Sequence, residues 1–314
     1  MNKSKKRNSK KLEKNLKQEK ERAEKAAVML SGGLDSRLVA KIMQEQGFDI
    51  IALHFKLPFS KDETKSIKEF CKKHNLKLKI FDYSKGKLFN QYLEMLKNPK
   101  HGRGAGVNPC IDCRLFMVKK AKEFLDKKEI KFLVTGEVLG QRPMSQHKKG
   151  LDIVAEKSGL GKRLIRPLIE QGIRGRSRQK QMKMAEKFGI NYPNPAGGCL
   201  LCEKFLKDKF EFLFKRGLKQ EELNLINIGR HFSVDNAWVI LGRDKKENDL
   251  IEDFAKANNY ESHLVFPEKG VMGPTGIILG KTNPKIKDKV KNIVNAYSKA
   301  GSIKQRKQFE KYKL

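Results

Sequence analysis

Acidic residues are scarce in this chain. It carries 36 Asp+Glu against 69 Lys+Arg, a formal net charge of +33. That imbalance is larger than solubility requires, and its natural counterpart is a polyanion, nucleic acid before a membrane surface. Long apolar runs are missing as well. No stretch approaches the about 18 residues of a membrane span, and there is no lipidation motif and no signal-peptide h-region. These absences predict a cytoplasmic protein without a membrane partner. Cysteine is sparse too, with five in all: Cys71, Cys110, Cys113, Cys199 and Cys202. Without a secretory signal, structural disulfides are the least favoured use for them.

Against this background one short segment stands out. An apolar run from Ala26 to Leu30 ends in Ser31-Gly32-Gly33-Leu34-Asp35-Ser36, and Leu38, Val39, Ile42 and Met43 follow at helical spacing. A strand, a glycine turn and a helix N-terminus together make an anion site, because unpaired N–H groups point outward beside the positive end of the helix dipole. Ser31 and Ser36 add hydroxyl donors, and Asp35 is placed to hold Mg²⁺. A second glycine-lysine stretch, Gly276 to Thr282, is one residue short of a Walker A loop and has no strand leading into it.

The chain is long enough for two domains. Residues 1–25 read as a basic arm, with Leu12 and Leu16 as the only large apolar side chains. Strand candidates at Ala27–Leu30, Ile50–Phe55, Leu78–Phe81 and Phe132–Gly136 alternate with helices at Ser36–Gln46, Asp62–His74, Leu88–Met95 and Leu115–Lys127. That alternation predicts an α/β fold, a Rossmann-like doubly wound parallel sheet over residues 26–190. Residues 191–220 read as a cysteine-containing connector and a Phe-rich helix (Phe205, Phe210, Phe212, Leu213, Phe214), a candidate domain seam or homodimer surface. A smaller α+β domain follows over 221–282, with paired strands around a Val234-Asp235-Asn236 turn, and 283–314 reads as a basic tail.

Four cysteines fall into two C-x-x-C pairs, Cys110/Cys113 and Cys199/Cys202, while Cys71 sits beside Phe70 as a small core residue. Each pair suits a metal, an iron–sulfur cluster or a reactive dithiol. The gap between Cys113 and Cys199 is much longer than in a zinc ribbon, although distant segments can converge.

Ser31-Gly32-Gly33-x-Asp35-Ser36 resembles the PP-loop of the ATP pyrophosphatases, which adenylate a substrate oxygen and let a nucleophile displace AMP. Gly136-Glu137-x-x-x-Gln141-x-x-Ser145-Gln146 is similar to a segment of RNA-thiolating members. Asn108-Pro109-x-x-x-Cys113 resembles the catalytic cysteine segment of tRNA 2-thiouridylases. A C-x-x-C with one distant cysteine resembles tRNA thiolases that carry a [4Fe–4S] cluster. Gly229-Arg230-His231-Phe232, Gly242-Arg243-Asp244 and Glu247-Asn248-Asp249 resemble the RNA-binding domain of NFACT-type proteins.

These resemblances imply a tRNA sulfurtransferase of the thiouridine synthase type. ATP and Mg²⁺ would be held by Ser31, Gly32, Gly33, Asp35, Ser36, His54, Gly136, Gln141, Arg142 and Ser145. Catalysis would fall to Asp35, Cys110, Cys113 and Cys199, with the three cysteines as ligands of the cluster. Zinc, or a cysteine persulfide with no metal, are the alternatives for the same sulfurs, and Cys202 is left as a spare thiol, a fourth ligand or a relay. The implied partners are tRNA and a sulfur donor: a cysteine desulfurase, a sulfur carrier or free sulfide. With 25 residues ahead of the PP-loop and no rhodanese-like segment, the RNA grip is expected from the basic arm, the tail and the C-terminal domain. Two other readings stay open, a base-aminating PP-loop enzyme and an RNA-binding factor without catalysis.

Overall fold

The computed structural model describes residues 23–194 and 198–314. The basic arm lies, but for its last three residues, outside this range, so neither the arm nor its phosphate-gripping role is described. Two compact units are present. One comprises the described residues up to Gly104 together with Asn108–Cys199, and the other joins Ala105–Val107 to Leu200–Leu314.

The first unit is built on five parallel strands, β1 (Lys25–Met29), β2 (Asp49–Lys56), β3 (Lys77–Asp82), β4 (Phe132–Thr135) and β5 (Leu164–Ile165). Their order is β3-β2-β1-β4-β5. Only the first residue of β1 is exposed, as a strand flanked on both sides and covered on both faces must be. Helix α1 (Leu34–Glu45) buries Leu34, Leu38, Val39, Ile42 and Met43 in the core, where Cys71 also lies. Helices α2 (Thr64–Lys73), α3 (Gly86–Lys97), α4 (Cys110–Lys127), α5 (Lys148–Lys157), α6 (Pro167–Glu170) and α7 (Gln179–Lys187) complete the α/β winding. The strand order reverses between β1 and β4, and in such sheets ligands bind outside the carboxyl ends at that reversal.

Helix α4 starts five residues earlier than the sequence pattern suggested. Its first turn, Cys110-Ile-Asp-Cys113, lacks a simple apolar period, yet Cys113 N–H already donates to Pro109 O at 2.8 Å. Strand β5 was not expected at all, since two residues carry no periodic signal.

The second unit has an antiparallel sheet in the order β6-β7-β9-β8, formed by β6 (Arg230–Val234), β7 (Ala237–Leu241), β8 (Leu264–Val265) and β9 (Gly276–Leu279). Asp235 and Asn236 both take left-handed φ, 48° and 66°, the conformation that a two-residue hairpin turn of the right twist needs. Gly276–Leu279 is fully buried as a central strand, so the Walker-like stretch is not a phosphate loop. Helices α8 (Lys207–Arg216), α9 (Lys245–Ala257), α10 (Pro284–Tyr297) and α11 (Ile303–Gln308) follow the chain around this sheet. Residues 283–314 are therefore not a tail: Ile286, Val290, Ile293 and Val294 of α10 belong to the core cluster of this unit. In the Phe-rich helix, Phe210, Leu213 and Phe214 are buried, whereas Phe205, which precedes α8, is 78% exposed.

Candidate functional site

The loop leaving β1 is held in shape by its own side chains. Ser36 Oγ accepts from Ser31 N–H and Ser31 Oγ, both at 3.2 Å, and donates to Gly33 O at 2.9 Å. Gly32 has φ +88°, and a Cβ there would press on Glu63 and Ile67, so only glycine fits. Gly33 is the N-cap of α1 and has no side chain to cap it, so the first N–H groups of the helix remain available to an outside anion.

Arg37 fixes the loop from behind. Its guanidinium donates to Gly32 O (2.7 Å), Asn191 O (2.7 Å) and Ser66 Oγ (2.6 Å) and lies over the Phe70 ring at 5.0 Å. With Gly32 O drawn inward, the N–H edge of the loop faces out. Burial lowers the Arg37 pKa from its usual value, with Glu63 opposing the shift. His54 plays a similar structural part. Its Nδ1–H donates to Leu30 O (3.2 Å), leaving Nε2 to accept from Thr64 Oγ1 (3.3 Å). Burial lowers its pKa, with the Leu30 carbonyl opposing the shift, and both ring nitrogens are engaged within the protein.

The loop after β4 closes over the Ser31–Ser36 loop. Gly136 lies so near that a Cβ would sit 2.7 Å from the Asp35 carbonyl carbon and 2.8 Å from Ser36 N. Gln141 Nε2 donates to Asp35 Oδ2 at 3.0 Å, while Asp35 Oδ1 is buried with no hydrogen-bond partner. Such an orphaned carboxylate oxygen fits a cation. Ser145 is half-buried, and Arg142 is exposed. Glu137, buried at 1% exposure, anchors this loop: it accepts from Thr135 Oγ1 (3.0 Å) and lies between Arg114 (3.1 Å) and Arg166 (2.8 Å).

Arg114 directly follows Cys113, so the same carboxylate ties the cysteine helix to the loop after β4. A second tie runs through Asn108, whose Nδ2 donates to Cys110 Sγ at 3.2 Å and approaches Met144 Sδ at 3.6 Å. On the far side of the helix turn, Cys113 Sγ hydrogen-bonds with Tyr92 Oη at 3.3 Å. Burial first, then the charges of Cys113 and Cys199, raises the Tyr92 hydroxyl well above its usual pKa. Cys202 is exposed and belongs to the other unit. Between the two cysteines, Asp112 accepts from Lys100 N–H, His101 N–H and His101 Nδ1 at 2.9–3.0 Å. Burial alone would raise this carboxyl, but these donors outweigh it and hold its pKa below the usual carboxylate range.

Cysteine sulfurs suit a soft metal in donor type. Among the described residues, no three His, Cys, Asp or Glu side chains are grouped closely enough to hold an ion as they stand. Arg37, Glu137 with its two arginines, Tyr92 and the Asp112–His101 pair escaped sequence reasoning. Only Glu137 carried a signal, its place in the Gly136–Gln146 segment.

Comparison with known proteins gives the family. Residues 22–191 match the family model described as Thiamine biosynthesis protein (ThiI). A probable tRNA sulfurtransferase of Thermococcus kodakarensis is 31% identical over 170 residues, covering 52% of this chain and 41% of the relative. One from Methanocaldococcus jannaschii is 27% identical over 166 residues, covering 52% and 40%. The chain thus spans well under two thirds of the length of these relatives. A crystal structure of a 4-thiouridine synthetase–RNA complex with bound ATP aligns at TM-score 0.42 and 19% identity, over 65% of this chain and 52% of that one. With the family match spanning more than half of its residues, the chain belongs to the ThiI family.

Proposed function

We propose that this chain is an ATP-dependent tRNA sulfurtransferase. It adenylates a uridine carbonyl oxygen with release of pyrophosphate, and sulfur then displaces AMP. The observation that carries the reading is that one loop, residues 141–144, bonds to Asp35 through Gln141 and approaches Asn108, the partner of Cys110, through Met144, which sets cysteine chemistry beside a candidate phosphate loop within one unit. The names of the similar proteins support tRNA as the substrate.

A uridine oxygen leaves poorly, and adenylation makes it part of a good leaving group. The loop N–H groups with Ser31 and Ser36 bind the triphosphate, and Asp35 would hold Mg²⁺, which supplies positive charge against the departing pyrophosphate. Cys110, Cys113 and Cys199 would hold a [4Fe–4S] cluster, whose chemistry is to present sulfide at an open iron. Without the metal, a persulfide loaded on one of these cysteines by a desulfurase or carrier attacks the activated carbon with its outer sulfur as AMP leaves. A second cysteine thiol then attacks the inner sulfur, releasing the thiolated base and leaving a cysteine disulfide that a thiol reductant must reopen. Tyr92 orients Cys113, and Asn108 orients Cys110. The sulfur comes from a cysteine desulfurase, a carrier or free sulfide. The target base has to leave its stack, which favours a tRNA loop or junction. The second unit, with its Gly229–Phe232 and Gly242–Asp244 segments, acts as an NFACT-like RNA-binding domain.

The test is to incubate anaerobically prepared protein with ATP, a tRNA transcript and sulfide, then to measure pyrophosphate and to search the digested nucleosides for thiouridine by mass spectrometry. Both products are expected. Pyrophosphate without thiouridine would overturn the sulfur step, and neither product would overturn adenylation.

A further inference from the structure

We infer that Arg142, Arg174 and Arg176 form a ridge that docks the phosphate backbone of the RNA beside the nucleotide loop. The inference rests on the reading that this loop adenylates an RNA base, and it adds where the strand lies.

Three observations support it. The first is position. Arg142 follows Gln141, the residue bonded to Asp35. Leu139 forms a parallel bridge with Arg174, and Gly175 N–H donates to Leu139 O at 2.7 Å, so the 173–176 segment runs along the loop that closes the nucleotide site. The second is charge. All three arginines are exposed, and among the described residues none has an ion pair, hydrogen bond or ring contact. No Asp or Glu occurs from 138 to 151 or from 171 to 185, whereas bases elsewhere on this unit pair with acids, such as Lys41 with Glu45 and Arg163 with Asp126. The third is the residue type. Lysine outnumbers arginine along the chain, yet these positions are arginine, whose planar fork matches phosphate oxygens in pairs.

Buried Ile173 and the Gly175–Leu139 bond hold the backbone under the ridge, so little ordering is left to be done when a strand binds. A polyanion laid there passes the carboxyl edge of the sheet, within reach of the adenylating loop. A lipid surface would gain nothing from that place, which favours RNA.

The experiment compares wild-type protein with Arg174→Gln/Arg176→Gln and with Lys68→Gln/Lys72→Gln, a control that removes equal charge from an exposed face of α2. Binding of a fluorescent tRNA transcript is followed by anisotropy across a potassium chloride series, and ATP binding is measured in parallel. For the arginine variant, the slope of log K against log salt is expected to become shallower by about 1.5, two phosphate contacts at about 0.7 to 0.9 each. ATP affinity should match wild type. An equal slope change in the lysine control would overturn the ridge. So would an unchanged tRNA slope with lost binding to phosphatidylglycerol vesicles, which would point to lipid. Wild-type protein that binds the transcript but releases no pyrophosphate would overturn the adenylation reading on which the ridge rests, whatever the slopes.

Discussion

The amide of Gln141 donates to one oxygen of Asp35 and leaves the other oxygen buried and unpaired. One hydrogen bond thereby selects which lone pairs of the carboxylate face a cation, and it does so from a different strand end.

Replacing Asp35 with Ala is expected to abolish pyrophosphate release while tRNA binding stays near wild type. Gln141→Ala should retain release but slow it by about tenfold, the equivalent of one hydrogen bond to a charged group. Full turnover in Asp35→Ala would remove the carboxylate from the reaction.

Cys113→Ala should separate the two half-reactions. Pyrophosphate release persists, and thiouridine disappears. Protein purified without oxygen, read by ultraviolet–visible absorbance with iron, sulfide and zinc assays, then distinguishes the forms of the sulfur step. A brown wild type that turns colourless in the variant indicates a cluster; a colourless wild type with no metal indicates persulfide.

Arg37→Met removes three hydrogen bonds that join the phosphate loop to α2 and to residue 191. The expected loss is about 2–4 kcal/mol in urea unfolding, because Gly32 O and Asn191 O lose buried partners. Among molecules still folded, the KM for ATP should rise more than kcat falls, since the loop presents its N–H edge less reliably. A variant with wild-type stability and KM would show the contacts to be incidental.

Acid should loosen the second unit before the carboxylates titrate. Trp238, the sole tryptophan, donates from Nε1 to His231 Nδ1 at 3.1 Å, which requires that nitrogen to be unprotonated. Burial first, then Lys209 and Arg243, lowers the His231 pKa to about 3. Above the unfolded value of about 6.5 both states are neutral and the stability is flat. Below it the unfolded chain gains a proton that the folded unit refuses, so stability falls with pH by about 1.4 kcal/mol per unit. Urea midpoints read by tryptophan emission between about pH 7 and 4.5 should decline in wild type and stay level in His231→Gln. Parallel declines would assign the effect to another group.

Much of this was legible from residues alone. The parallel sheet followed from strand–helix alternation, and the glycine turn between β1 and α1 from Ser31–Ser36, because local patterns carry both. What stayed hidden depends on partners distant in sequence. Nothing in Phe89-Asn-Gln-Tyr92 says that Tyr92 meets Cys113. Nor does the sequence say that the two nitrogens of His54 meet Leu30 O and Thr64 Oγ1, contacts made by the packing of β2 beside β1. The 283–314 segment looked like a tail because its lysines mask the Ile286, Val290, Ile293, Val294 face. Periodicity there was present but outweighed by charge.

The pairing of β4 with β1 also governs when the site comes into being. β1, the loop and α1 leave the ribosome early, whereas Phe132–Thr135 emerges only after β2, β3 and the cysteine helix have been made. Contacts so far apart in the chain close late, after the entropy of a long loop has been overcome. A nascent chain stalled before β4 would hold the whole serine–glycine sequence and still have no Gln141 against Asp35. The Gln141–Asp35 contact is thus a property of the finished unit, and a half-made one lacks it.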